Sequence, residues 1–414
     1  MQGLDEMRIQ SLKTLRIIDF VFVAHIFSTF SFAGIPGFSP FYLTLVLLAL
    51  LLFFEKKIMI SMRSASLAFS FLFSLVTAIS LLWSSNLLTA IARFGHITLA
   101  FFSGYVIYST LFYISNKELL RWGVLLSLMP LSITAILEMN NFSGNLLRVA
   151  GIAGNANSLA LYLTFGSIII LNPIFYPKTK TWVLVGVAII FSILITGSRK
   201  TIIAFPFFIV YYFSQKKRGG ASIPRLFMFF VITVILLVFF SLYWSAIINK
   251  LLEIPAFYRT FAAIFLNEAS ADIRSEMIEE GLILWGKKPL LGHGPDQFAS
   301  LSTFTTYSHN NYIEILSSAG LVGIFLFYGI YANMYRKLIL SKDVQLKKYI
   351  ATFLLLIILL DFTWVSYYSK PLWVLLGLFL YSLKSEIQIN NTNKGSTPKE
   401  LKKRGRIKAA SVLQ

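Results

Sequence analysis

Of the 414 residues, 57% are hydrophobic and 13% charged, at a mean hydropathy of +0.73. A soluble domain carries about 25% charged residues, so that class is excluded, and 39 Phe, 19 Tyr and 7 Trp exclude a disordered chain. Cysteine is absent, which removes disulfides, thiol catalysis and thiolate metal sites.

The first 16 residues mix acids and bases and lack a small-residue cleavage site, so no removable signal peptide is expected. Apolar runs then recur along the chain. They predict twelve membrane spans near 17–33, 40–54, 66–83, 94–114, 121–137, 155–175, 181–196, 200–213, 226–245, 311–333, 349–366 and 371–383. Several are short for a bilayer core of about 30 Å, which implies tilt. Starting inside, alternation places 27 of the 37 Lys and Arg on one side. Cytoplasmic loops accumulate basic residues, so both termini are expected in the cytoplasm. The net charge of +19 is then mostly topological, and nucleic acid is not an expected partner. The fold class is an all-α polytopic membrane domain over 1–383, followed by a basic cytoplasmic tail, 384–414, expected to be disordered. The tail cluster Lys402-Lys403-Arg404 touches anionic headgroups at most.

Most outer connectors are short, such as Gly34–Ser39 and Ser366–Lys370. One, at about 246–310, is too long for a bare connector. Its centre, 271–285, reads as a helix with Met277, Ile278, Gly281, Leu282 and Trp285 at helical spacing, capped by Ser270 or Asp272. Arg274 lies in its first turn. Pro289, Gly292, Gly294 and Pro295 end it and build turns.

The basic residues on the outer side oppose the insertion preference, so topology does not explain them. Arg199 stands in the hairpin Thr196-Gly197-Ser198-Arg199-Lys200, at the outer membrane face. It either snorkels to headgroups or clamps phosphate, since a guanidinium is a planar fork that matches phosphate oxygens. Arg148 precedes Gly151, Gly154, Asn155, Asn157 and Ser158, where glycines admit a ligand close to the backbone and Asn or Ser caps the next span. Arg93, Arg259 and Lys370 are outward too, and each alone reads as an interfacial anchor.

Four histidines are present. His25 and His96 lie within spans and are expected to bond backbone carbonyls. His293, between Gly292 and Gly294, reads as a solvated turn residue. His309 stands where the long loop returns to the membrane, and an imidazole there is the plausible general base of the outer face. Its alternative is a structural role at the helix start, with Ser308 or Asn310 as cap. Histidine spacing and the lack of acidic clusters argue against a metal site, and no nucleotide-binding glycine pattern occurs.

These stretches, in this order, resemble the bacterial O-antigen ligase and surface-polysaccharide polymerase superfamily. They are Arg148-x-x-Gly-x-x-Gly-Asn-x-Asn-Ser, Thr-Gly-Ser-Arg199-Lys, Arg274 followed by Trp285, Pro289 and Leu-Gly-x-Gly, and His309-Asn310-x-x-x-Glu-x-x-x-x-x-Gly320-x-x-Gly. The resemblance covers roughly 70–335. Ala156 departs from it where the family often has Pro, and His293 where a small apolar residue is commoner. It implies a GT-C-like, multi-pass glycosyltransferase of the bacterial cytoplasmic (inner) membrane, working on the outer face without cofactor or metal. The implied donor is an undecaprenyl-diphosphate-linked glycan, and the acceptor another glycan or lipid A-core. Membrane lipids and polysaccharide-assembly proteins are candidate partners.

By this resemblance Arg199 and Arg274 grip the diphosphate, and His309 orients or deprotonates the acceptor hydroxyl. Arg148, Asn155, Asn157, Arg93, Asn310 and His293 are the expected substrate contacts. A repeat-unit polymerase is favoured over a ligase that moves finished glycan to lipid A-core. A twelve-span transporter or lipid flippase is the alternative from another class; it needs paired halves and mid-membrane ionisable residues. Asp361 alone fits the latter, and the long loop falls between spans nine and ten, away from the midpoint. A non-catalytic membrane scaffold is the third reading.

Overall fold

The computed structural model describes residues 16–32, 40–54, 64–140, 149–175, 179–196, 198–215 and 269–394. Among them are thirteen α-helices and no strand. They are α1 (Ile17–Ser31), α2 (Pro40–Phe54), α3 (Ala65–Ile79, continued by a 3₁₀ turn, Ser80–Trp83), α4 (Leu87–Thr110), α5 (Glu118–Asn140), α6 (Ala156–Ile170), α7 (Thr179–Thr196), α8 (Arg199–Gln215), α9 (Ala269–Lys287), α10 (Gln297–Leu301), α11 (Asn311–Leu340), α12 (Val344–Leu360) and α13 (Lys370–Lys394). Eleven of the expected spans fall on helices; the twelfth, 226–245, lies outside the described residues, as do Arg148, Arg259 and the tail beyond Lys394. Four stretches, Ala65–Trp83, Leu87–Thr110, Glu118–Glu138 and Asn311–Leu340, are long and apolar enough to cross a membrane.

Caps and side chains shift several boundaries. Asn86 caps α4 by accepting from Thr89 N, so the helix starts before the expected 94 and Arg93 stands on it, not in a loop. Asp343 accepts from Gln345 N and Leu346 N and starts α12 early. That helix ends at Leu360, which puts Asp361 at its C-terminal end. Helix α13 runs past the expected end at 383 to Lys394. In α9 the start is Ala269, so Ser270 and Asp272 lie inside the first turn. Its buried face is Met277, Gly281 and Leu284, at one-turn intervals, packed with Phe298 and Ile313; Leu282 is exposed.

One buried core runs through the bundle, where α13 packs on α4, α1 on α5 and α11 on α3. Gly104 of α4 and Gly377 of α13 let two backbones meet: a Cβ on Gly377 would stand 2.4 Å from the Gly104 carbonyl oxygen. Small residues serve this purpose where lipid provides no hydrophobic drive between helices.

Hydrogen bonds sort the connectors into two ends. At one end Trp83 Nε1 donates to Gly292 O (3.0 Å), Asn311 N to Asp361 O (2.7 Å), and Lys370 Nζ lies 4.2 Å from the centre of the Phe41 ring. At the other Ser115 N donates to Asp19 Oδ1 (3.1 Å), Lys337 Nζ to Ser64 Oγ (2.8 Å) and Asn172 Nδ2 to Ser382 Oγ (3.3 Å). The motif residues gather at the first end.

Candidate functional site

The site is organised by a break in α11. Gly320 has φ 63° and ψ −159°, a conformation open essentially to glycine alone. A helix interrupted there exposes backbone donors and acceptors that need partners. The segment after α9 supplies them: Leu321 N donates to Pro289 O and Val322 N to Leu290 O, while His293 N donates to Ser317 O and Gly294 N to Ser318 O. A Cβ on Gly320 would lie 2.3 Å from the Leu290 backbone. The Leu-Gly-x-Gly and Gly-x-x-Gly stretches are thus two halves of one docking.

That docking continues onto α4. Arg93 donates through Nε (2.9 Å) and Nη2 (2.6 Å) to Asp296 Oδ1, and its guanidinium lies 4.0 Å from the centre of the Tyr368 ring. Gln297 bridges to Asn86, accepting from its N–H and donating to its carbonyl. His293 is buried, and its Nε2 lies 2.9 Å from Leu284 O. A carbonyl only accepts, so Nε2 carries the hydrogen. Burial lowers its pKa, with Lys288 and Lys287 adding to the effect. His293 is therefore a buried pin of the loop and not a solvated turn residue.

His309 is presented at the start of α11. Asn310 caps the helix, accepting from Tyr312 N (2.9 Å) and Ile313 N (3.2 Å), which accounts for this residue as a cap. His309 has φ 56°, is half-buried, and its ring centre lies 4.2 Å from that of Tyr307. Burial, then Arg274 and Lys200, push the imidazole down to about 4. Burial also raises Tyr307 above the ordinary phenol, against the pull of Arg274 and Arg93. Residues from α4, α8 and α9 thus converge electrostatically on one short stretch, 307–309.

Sequence reasoning does not single out Lys200. It is buried, and its signal was visible only as a second cation beside Arg199. Arg199 opens α8; its side chain lies outside the described residues. The hairpin it belongs to is tied to the first turn of α6, where Ser198 Oγ donates to Asn157 Oδ1 at 3.1 Å. Asn155 caps α6 by accepting from Asn157 N (2.8 Å). The turn before it is held from α5, where Glu138 accepts from Ala150 N and Gly151 N, and Thr134 Oγ1 accepts from Ile152 N (3.0 Å).

Other expectations are corrected. His25 bonds two hydroxyls, of Thr44 (3.2 Å) and Ser103 (3.0 Å), and not a backbone carbonyl. Asp361 is buried behind the site, with Oδ2 accepting from Tyr328 OH (3.0 Å) and Asn311 Nδ2 (3.4 Å). Among the described residues no group of three His, Asp or Glu is placed to hold a metal ion.

The family model described as O-antigen ligase matches residues 184–328. That segment is similar to the O-antigen ligase and polymerase superfamily, and the match supports a membrane enzyme of the ligase and polymerase type. It takes in Arg199, Lys200, Arg274, His293, His309, Asn310 and Gly320, while Arg93, Arg148, Asn155 and Asn157 lie before it. No curated protein matches the chain.

Proposed function

We propose that the protein is an inverting membrane glycosyltransferase that moves a glycan from undecaprenyl diphosphate to a sugar hydroxyl at the outer face of the bacterial cytoplasmic membrane. The observation that carries this reading is that the charges of Arg274 and Lys200 reach the half-buried imidazole of His309 at the motif end of the bundle. The acceptor oxygen attacks the anomeric carbon while His309 takes its proton. The anomeric C–O bond breaks, and the electron pair leaves with the lipid diphosphate. Arg274, Lys200 and Arg199 stabilise the charge that develops there, each charge-assisted bond contributing about 1.5–3 kcal/mol. The base contributes about 10²–10⁴-fold. A lowered pKa keeps the imidazole neutral and able to accept a proton at neutral pH. Attack opposite the leaving group inverts the anomeric centre.

Within this reading the acceptor is a growing glycan, and the enzyme a repeat-unit polymerase. The description of the matched family favours a second reading, a ligase with lipid A-core as acceptor. Purified protein given lipid-diphosphate glycan should release undecaprenyl diphosphate in step with product formation. A ladder of longer lipid-linked chains without added acceptor supports the polymerase. Product formed only with lipid A-core makes it a ligase, and no release with either acceptor refutes both.

A further inference from the structure

The φ of 56° at His309 lies in the left-handed region, which a residue with a Cβ keeps only where its surroundings over-determine it. The flanking residues show what does so. Asn310 already caps α11. On the other flank, Ser308 N donates to Glu314 Oε2 at 2.8 Å, and Ser308 Oγ donates to Asn310 O at 2.9 Å. Glu314, in the first turn of α11, is 1% exposed. Burying a carboxylate is costly, and the helix has its cap without it, so capping does not account for this residue. What its oxygen does hold is the peptide next to His309.

We propose that Glu314 is the positioning residue of His309, its buried carboxylate fixing the turn that aims the imidazole at the acceptor hydroxyl. The inference rests on the reading of His309 as the acceptor base. Glu314 touches no substrate; it acts through Ser308.

The test uses the purified full chain, an undecaprenyl-diphosphate-linked glycan and a glycan acceptor. Glu314→Ala should lower kcat about 100-fold, the cost of misplacing a catalytic group by about 1 Å, and leave the donor KM unchanged. Glu314→Gln keeps an acceptor oxygen at the same reach and should recover most of the transfer. Added to His309→Ala, Glu314→Ala should cause no further loss, because the two act as one unit. Wild-type kcat in Glu314→Ala, or an independent loss in the double variant, overturns the inference alone. Full transfer in His309→Ala instead removes the base role on which it rests. Should Glu314→Ala fail to fold, Glu314→Asp and Glu314→Gln decide: Gln active and Asp impaired supports positioning, and equal transfer by the two overturns it.

Discussion

Ser198 and Asn157, 41 residues apart, share a hydrogen bond of 3.1 Å between the α7–α8 hairpin and the first turn of α6. The bond fixes the stretch that carries Arg199 and Lys200 against a turn that is itself held from α5. A single neutral hydrogen bond contributes about 1 kcal/mol. Asn157→Ala should therefore reduce transfer only about fivefold, and Asn157→Asp, which keeps an acceptor oxygen, less. A loss as large as that of a catalytic variant in a kinetic assay would mean that Asn157 touches substrate directly.

The arginines separate by geometry and charge. Arg199→Lys should lose most transfer despite its retained charge, because an ammonium does not reproduce a bidentate grip. Arg274→Ala should weaken donor binding by about 10–100-fold, the equivalent of one charge-assisted contact. Donor titration of the purified variants at matched ionic strength checks both, since phosphate contacts are screened by salt. Near-normal transfer by Arg199→Lys would leave Arg199 as an interfacial anchor.

The pH profile reports His309. A base works only when unprotonated, so its contribution is complete above its pKa and lost as pH falls through it. With the imidazole held near 4 against an ordinary 6.5, kcat/KM should stay level from neutrality to about pH 5 and fall below it. Arg274→Ala removes one cation, so the acid limb should move up. It should not reach 6.5, because burial is the larger cause and remains. An acid limb at 6.5 in the wild type would show a solvated imidazole.

Gly320→Ala should be among the more damaging single substitutions. The backbone conformation alone, open essentially to glycine, costs a residue with a Cβ about 1–3 kcal/mol. The new Cβ would also meet the Leu290 backbone at 2.3 Å, where no flexible side chain can yield. A lower melting temperature in detergent, with faster proteolysis between α9 and α11, is the expected outcome. Gly286, with nothing within 4 Å, is the control and should tolerate alanine.

Orientation has its own test. A reporter active only outside the cytoplasm should work when fused after residue 285 and fail after 343, because these positions belong to opposite ends of the bundle. The reverse pattern would move the whole site to the cytoplasmic face.

Much of this was legible in the chain. Apolar runs and their spacing are local properties, so α1 to α8 and α11 to α13 could be placed, with ends moved mainly by caps such as Asn86 and Asp343. His309 is conspicuous because an imidazole beside an apolar span needs a reason, whereas Arg274 is a candidate through the family resemblance of the stretch that carries it. Periodicity also predicted α9, though it chose Leu282 for the buried face in place of Leu284.

Partners were not legible, because a side chain's partner is set by packing between helices far apart in sequence. The pairing of Arg93 with Asp296 spans 203 residues, and that of Asn311 with Asp361 spans 50. Composition and periodicity act within a few turns, so they were enough to specify an apolar, helical chain with motif residues near helix ends. Packing across the fold brings the charge of Lys200, with that of Arg274, to bear on His309, makes His293 a buried pin, buries Asp361 behind the site, and breaks α11 at Gly320 to receive the loop. Each depends on which backbone groups and charges meet across the fold, and burial leaves those groups no alternative but to satisfy one another.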